Sequence, residues 1–149
     1  MPVAKGGRTM ADLVLQTVVK LLIPFIQMYG IFIIINGHLS PGGGFAGGTI
    51  LGSSIILYAL AFHVEDALAH YSRSRAKMME SAGVVAFALI GLFGIIRGGH
   101  FLANNIWGLG ETGTLLSGGI ILPITLAIGI KVASTMITLF FHLLEEKKL

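Results

Sequence analysis

Four apolar stretches dominate this sequence, and each is long enough to cross a lipid bilayer. The hydrocarbon core of a bilayer is about 30 Å thick, so a helix needs about 20 mainly apolar residues to span it. Of the 149 residues, 54% are hydrophobic and 11% are charged, and the mean hydropathy is +0.87. A soluble domain carries about twice that share of charge. The sequence therefore predicts an all-α integral membrane protein with one membrane domain over residues 1–149.

Turn and cap residues set the predicted helix boundaries. Ser40 is a suitable N-cap, and Pro41 suits the first position of the second helix because it has no N–H group to leave unsatisfied. Gly118, Gly119 and Pro123 predict a break or kink near the start of the last helix. The four predicted helices cover about 13–36, 41–62, 81–98 and 114–144.

The charges between these stretches predict the orientation of the chain. The polar stretch 63–80 is expected to be a loop or an interfacial helix, and Trp107 suits an interfacial connection over 98–113. Lysine and arginine collect near both termini and in the central stretch, whereas Arg97 stands on the opposite side. Because cytoplasmic loops carry the excess of basic residues, both termini are predicted to be cytoplasmic. The expected location is the cytoplasmic membrane, with multiple passes.

Two lysines lie within the predicted helices. Lys20 is about 7 residues into the first helix, near 10 Å deep, where a lysine side chain can still reach toward the interface. Lys131 is about a dozen residues, or about 18 Å, from the predicted cytoplasmic end of the last helix. A charge at the centre of a span costs about 2.5–3.5 kcal/mol on insertion scales. Both lysines are therefore candidates for an ion or proton pathway, and Lys131 is the stronger one.

All the acidic residues are predicted to lie at helix ends or in loops. They are Asp12, Glu65, Asp66, Glu80, Glu111, Glu145 and Glu146. Because an unpaired buried ammonium is strongly disfavoured, we expect Lys131 either to be neutral or to find its carboxylate on another polypeptide. A chain without an intramembrane carboxylate is not expected to transport cations by itself.

The remaining polar residues give little indication of catalysis. The sequence contains no cysteine, which excludes disulfides and thiolate-bound metal. His38, near the predicted external face, is a candidate for passing protons, although an ordinary interfacial histidine is the commoner explanation. His63, Glu65, Asp66 and His70 are the nearest approach to a catalytic cluster, and a solvated loop explains them more simply. We expect no enzyme activity, metal site or cofactor in this chain.

Glycines crowd the predicted start of the second helix, where residues 41–48 read PGGGFAGG. No Lys-Ser/Thr pair follows and no strand precedes them, so they are not a phosphate-binding loop. Gly44, Gly48 and Gly52 recur at four-residue spacing, a pattern that lets a neighbouring helix approach closely. This face is therefore predicted to pack against another helix, and a flexible gating turn is the alternative.

The stretch GHLSPGGGF over residues 37–45, followed by an apolar helix, resembles the signature of the B subunit of Mrp-type multi-subunit sodium/proton antiporters. The stretches GTLLSGG over 113–119 and GIKVA over 129–133 are similar to bacterial and archaeal B-type chains, so the resemblance covers most of the sequence. Its motif positions match His38, Pro41, Gly42, Gly43, Gly44, Phe45 and, in the last helix, Lys131.

This resemblance implies a four-helix subunit that helps to form the translocation region for Na⁺ and H⁺. It implies other small Mrp-type subunits and large antiporter-like subunits as partners. Related chains also occur in membrane-bound hydrogenases and similar respiratory complexes, where hydrogenase-type redox subunits would be further partners.

Two other functions compete with translocation. A purely structural subunit for assembly explains the glycine face equally well. A small four-helix exporter matches the length, but it needs a membrane-embedded glutamate in helix one, where this sequence has Gln16 and Lys20. A lysine there would repel the cationic drugs that such exporters carry. Nucleic-acid binding is not expected, because the sequence lacks a basic stripe with interleaved aromatic residues.

Overall fold

The computed structural model describes residues 10–39, 41–62, 73–104, 111, 113–114 and 117–146, and these form four helices without a strand. The helices are α1 (Met10–Ile35), α2 (Gly43–Phe62), α3 (Arg73–Ile96) and α4 (Ile121–Glu146). Each is long and apolar enough to cross a membrane. The predicted all-α protein with four membrane-spanning helices is confirmed, and the cytoplasmic placement of the termini stays a prediction.

The helices pack in the spatial order α1, α2, α4, α3. Residue numbers rise together along the seam between α2 and α4, where Gly48 faces Gly129 and Gly52 faces Met136. These two helices are therefore parallel. The outer helices run the opposite way, so the chain crosses the bundle in alternating directions, as four consecutive membrane spans require.

The glycines of α2 allow backbones to touch on both of its sides. A Cβ atom at Gly48 would lie 2.7 Å from the carbonyl oxygen of Gly129, and one at Gly52 would lie 2.8 Å from Cβ of Met136. Gly47 faces α1 in the same close manner. In lipid, where water does not drive helices together, this contact supplies the van der Waals attraction that holds the helices in place.

The start of α2 differs from the prediction by two residues. Gly42 and Gly43 have φ angles of 152° and 84°, a region that glycine tolerates and other residues avoid. The helix begins at Gly43, so Pro41 precedes it instead of occupying its first position. Ser40 lies outside the described residues, and its capping role stays a prediction.

The last two helices also begin elsewhere than predicted. α3 begins at Arg73 rather than at about 81, so the described part of the polar stretch is helical. α4 begins at Ile121 rather than at about 114. Gly119, with a φ of 58°, turns the chain just before α4, and the Asn104 side chain accepts a hydrogen bond from the N–H group of Ile120 at 2.9 Å. The expected break therefore lies before the helix, not inside it.

The tightest apolar packing lies where α2, α3 and α4 meet near the C-terminal end of α4. Ala59, Ala76, Ile137 and Phe141 form this core, and Phe141 is 1% exposed. Only 17% of the membrane-spanning window is buried in α1 and likewise in α3, against 33% in α2 and in α4. Most of the α1 surface is therefore left for lipid or for another polypeptide.

Candidate functional site

Lys131 lies near the middle of α4, ten residues after Ile121 and thirteen before Leu144. At 1.5 Å per residue, this places its Cα about 15 Å and about 20 Å from the two ends of the span. The side chain is half-exposed, and it lines a shallow apolar groove of about 230 Å³ between α3 and α4. Gly83 allows α3 to approach closely here, because a Cβ atom at that position would lie 2.8 Å from Cβ of Lys131.

A carboxylate faces the same seam from α3. Glu80 is half-buried, and its Oε1 accepts a hydrogen bond from the hydroxyl of Thr135 on α4 at 2.8 Å. The same hydroxyl lies 2.9 Å from the backbone carbonyl oxygen of Lys131. A carboxylate, a hydroxyl and the backbone of Lys131 are thus connected across two membrane-spanning helices. We refer to Glu80, Thr135 and Lys131 as the seam triad.

The position of Glu80 corrects one sequence-based expectation. The prediction that every acid lies at a helix end or in a loop is wrong for Glu80, which is the eighth residue of the 24-residue α3. It lies about 9 Å inside the span that begins at Ser74. Among the described residues no ion pair joins Glu80 to Lys131, and the pairing of Lys131 with a carboxylate of another polypeptide stays a prediction. The residues at the start of α3 are polar and resemble a loop in the sequence. For this reason the sequence did not indicate that Glu80 lies within a span.

Lys20 lies away from the seam triad, on α1 at the other side of the bundle. It is exposed and stands ten residues after the start of the helix, about 15 Å along it. This is deeper than the 10 Å expected from the sequence, because α1 begins at Met10. The structure does not bring Lys20 and Lys131 together, and a pathway role for Lys20 stays a prediction.

His38 lies at the opposite end of the bundle from the start of α3. Its Nε2 is 3.2 Å from the carbonyl oxygen of Thr114, which requires the nitrogen to donate. Its ring packs against Gly118, and its buried Nδ1 has no hydrogen-bond partner among the described residues. His38 therefore ties the turn after α1 to the segment before α4, and a proton-pathway role stays a prediction.

The predicted glycine motif divides into two structural roles. Gly44, Gly48 and Gly52 face α4, whereas Gly42 and Gly43 form the turn before and at the start of α2. Phe45, one position beyond them, points outward and is 68% exposed. Its apolar ring is therefore left for lipid or for a neighbouring subunit.

Two other predictions concern residues outside the described ranges, and the described residues contain no group of metal ligands. The cluster of His63, Glu65, Asp66 and His70, and also Trp107, lie in ranges that the structure does not describe. Within the described ranges no three histidine, aspartate or glutamate side chains come together as metal ligands. Among the described residues, the seam triad joins a carboxylate, a hydroxyl and the backbone carbonyl of Lys131 by hydrogen bonds within the spans.

These observations define a class, a multi-pass integral membrane protein whose polar groups lie on a helix seam of a four-helix bundle. The family model that matches the chain describes a domain related to the MnhB subunit of Na⁺/H⁺ antiporters, and it covers residues 14–138. The chain belongs to this family. The resemblance to B-type subunits that residues 37–45 indicate is therefore confirmed.

Individual relatives agree with the family. A putative antiporter subunit, mnhB2, of Staphylococcus haemolyticus is 36% identical over 94 residues, which are 63% of this chain and 66% of that protein. A protein of Methanocaldococcus jannaschii is 32% identical over 123 residues, which are 79% of this chain and 47% of that protein. The chain thus spans about half to two thirds of these relatives.

A solved structure shows the same fold. A chain of the membrane-bound sulfane sulfur reductase, an archaeal respiratory membrane complex, matches with a TM-score of 0.75 and 34% sequence identity. The match covers 95% of this chain and 60% of that chain.

Proposed function

We propose that this chain is a non-autonomous membrane subunit of a multi-subunit sodium/proton antiporter, or of the antiporter module of a respiratory complex. In this proposal the seam between α3 and α4 forms part of the path for protons or cations. Membership of the MnhB-related family supports the first statement. The hydrogen bond between Thr135 and Glu80, inside two membrane-spanning helices, is the observation that carries the second.

The hydroxyl of Thr135 suits a carboxylate that changes its protonation state. A hydroxyl has one hydrogen to donate and two lone pairs that accept. When Glu80 is ionised, the hydroxyl donates to Oε1. When Glu80 is protonated, the carboxyl group donates to Oγ1, and the hydroxyl turns to the Lys131 carbonyl oxygen 2.9 Å away. Both states are hydrogen-bonded without movement of a helix.

Lys131 lies one helical turn from Thr135, the residue that bonds this carboxylate. Its side chain lines an apolar groove, where an uncompensated charge would be costly. In the proposed path, Glu80 supplies a carboxylate and Lys131 an ammonium group on adjacent turns of the seam.

The other subunits supply what this chain lacks. One carboxylate and one lysine form a short segment of a path, not a complete route across a bilayer. We expect the small Mrp-type subunits and the large antiporter-like subunits to lie against the exposed faces of the bundle. In a respiratory complex, hydrogenase-type redox subunits would belong to the same assembly.

Antiport in inverted membrane vesicles tests this proposal, with the addition of Na⁺ dissipating a preformed proton gradient. Thr135→Val is expected to lower the rate about tenfold or more, since a hydrogen bond to a charged group is worth about 1.5–3 kcal/mol. Glu80→Gln is expected to lower it at least as much, because the amide still accepts the hydrogen bond but carries no charge and exchanges no proton. Lys131→Ala is expected to do the same. Thr138→Val is the matched control, because Thr138 bonds a carbonyl four residues back on α4 and no carboxylate.

The amount of assembled complex, measured on the same membranes, separates two outcomes. Loss of antiport with normal assembly supports a translocation role for the seam. Unchanged antiport in Glu80→Gln and Lys131→Ala would contradict it and favour the second candidate, a purely structural subunit. The close glycine packing of α2 between α1 and α4 favours that second function.

A further inference from the structure

A cavity of about 380 Å³ lies between all four helices, on the concave side of their row. Its walls are almost wholly apolar, and its two longest polar side chains are at α1 and at the start of α3. The lining includes Leu51, Ile55, Met79, Ile137, Gln27 and Arg75. An apolar cavity offers water few hydrogen-bond partners, so water is a poor occupant.

Arg75 stands at one end of this cavity, and a second cation, Lys20, lies on α1 beyond the residues that line the cavity. Arg75 is exposed and is the third residue of α3. Lys20 is exposed on α1, seven residues before Gln27, and seven residues are nearly two whole turns. Lys20 therefore lies on the same side of α1 as Gln27, about 10 Å nearer the helix start. The described residues give neither cation an ion pair.

The packing of the helices puts these two cations at the same level. The Gln16 amide bonds the carbonyl oxygen of Ala61 at 3.2 Å, which sets the register of α1 against the end of α2. Lys20 lies one turn further along α1. Because α1 and α2 run in opposite directions, Lys20 is level with residues of α2 close to Ala59. Ala59 packs in one core with Ala76, the neighbour of Arg75. The two cations thus lie at one level, Arg75 near the start of α3 and Lys20 about 15 Å along α1.

We propose that this cavity binds an anionic phospholipid, with an acyl chain in the apolar cavity and the phosphate group between Arg75 and Lys20. Basic pockets between membrane-spanning helices recognise such headgroups. The long stems of lysine and arginine can lie along apolar surface while their charges reach a headgroup. This site is separate from the seam triad and does not depend on the function proposed for it.

The size of the cavity suits a narrow apolar occupant such as an acyl chain. The cavity has about 380 Å³, which is within the range of small-ligand sites. An acyl chain is narrow enough to enter it between α1 and α3.

Native mass spectrometry of the full chain, purified in mild detergent with the subunits that remain bound, tests the proposal. Phosphatidylglycerol and phosphatidylcholine are titrated in turn. We expect one saturable phosphatidylglycerol adduct per chain, and Arg75→Gln is expected to weaken it about fivefold, the contribution of one basic residue near an anionic lipid. Lys77→Gln is the matched control, because Lys77 carries the same charge one half-turn away and does not line the cavity.

A second pair of variants tests the cavity itself. Ala133→Leu fills part of it and is expected to remove the adduct, whereas Ala82→Leu adds the same bulk on the exposed side of α3 and is expected to keep it. Equal losses in Arg75→Gln and Lys77→Gln, or no saturable adduct, would overturn the proposal. So would a cross-link from Met79→Cys to another subunit, since a protein helix would then occupy the cavity.

Discussion

Gly48 makes a close contact between α2 and α4 that can be tested without changing the seam triad. A Cβ atom there would lie 2.7 Å from the carbonyl oxygen of Gly129 and 2.9 Å from Cβ of Val132. The first distance is about 0.7 Å short of the 3.4 Å at which ordinary contact begins. Gly48→Ala therefore forces α2 and α4 apart, and Gly48→Leu does so by more.

The expected size of the effect follows from the cost of overpacking. Inserting methylene groups into a packed interior costs about 1–3 kcal/mol, which corresponds to about a 5- to 150-fold change in the ratio of folded to unfolded chain. We place Gly48→Ala at the lower end of this range, because the neighbouring helix can yield slightly. Gly48→Leu belongs at or above the upper end, because its side chain points at backbone atoms.

This effect is measured by heating the tagged chain in mild detergent. Size-exclusion chromatography then gives the fraction of the chain that remains monodisperse at each temperature. Ser53→Ala and Ser53→Leu are the matched controls, because Ser53 lies on the exposed side of the same helix. We expect both control variants to melt close to the unmodified chain. If Gly48→Leu and Ser53→Leu melted at the same temperature, the contact at Gly48 would not be what holds α2 against α4.

Three further substitutions have expected outcomes. Asn104→Ala removes the acceptor of the Ile120 N–H group, so hydrogen exchange there should speed up about 5- to 150-fold, while Asn104→Asp should retain protection. Gln16→Leu removes one bond between α1 and α2, and the same heating assay should register a loss of about threefold or less, because such bonds average about 0.6 kcal/mol in membranes. Gly83→Leu should separate α3 from α4 and lower antiport as Thr135→Val does, even where the complex assembles; a variant with full antiport would refute this.

The seam triad shows where sequence reasoning reached its limit. Lys131 is identifiable from the sequence because a lone charge within an apolar run is costly wherever the run packs. Glu80 is not, because it follows Arg75 and Lys77 in a polar stretch that has no apolar periodicity of its own. The first two turns of α3 are helical because α4 covers one side of them, with Ala76 in the core beside Ile137. That support comes from tertiary packing, which a local pattern does not contain.

The sequence by itself determined that this chain has four membrane-spanning helices, that glycines line one face of the second, and that residues 37–45 indicate a B-type antiporter subunit. These properties follow from hydrophobicity, spacing and local motifs, which act within one stretch of chain. The tertiary structure decided that α2 and α4 lie side by side in the middle of the row, that Glu80 meets Thr135, and that a cavity lies between the four helices. Such contacts join residues far apart in sequence, and only the packing of whole helices determines which of them meet.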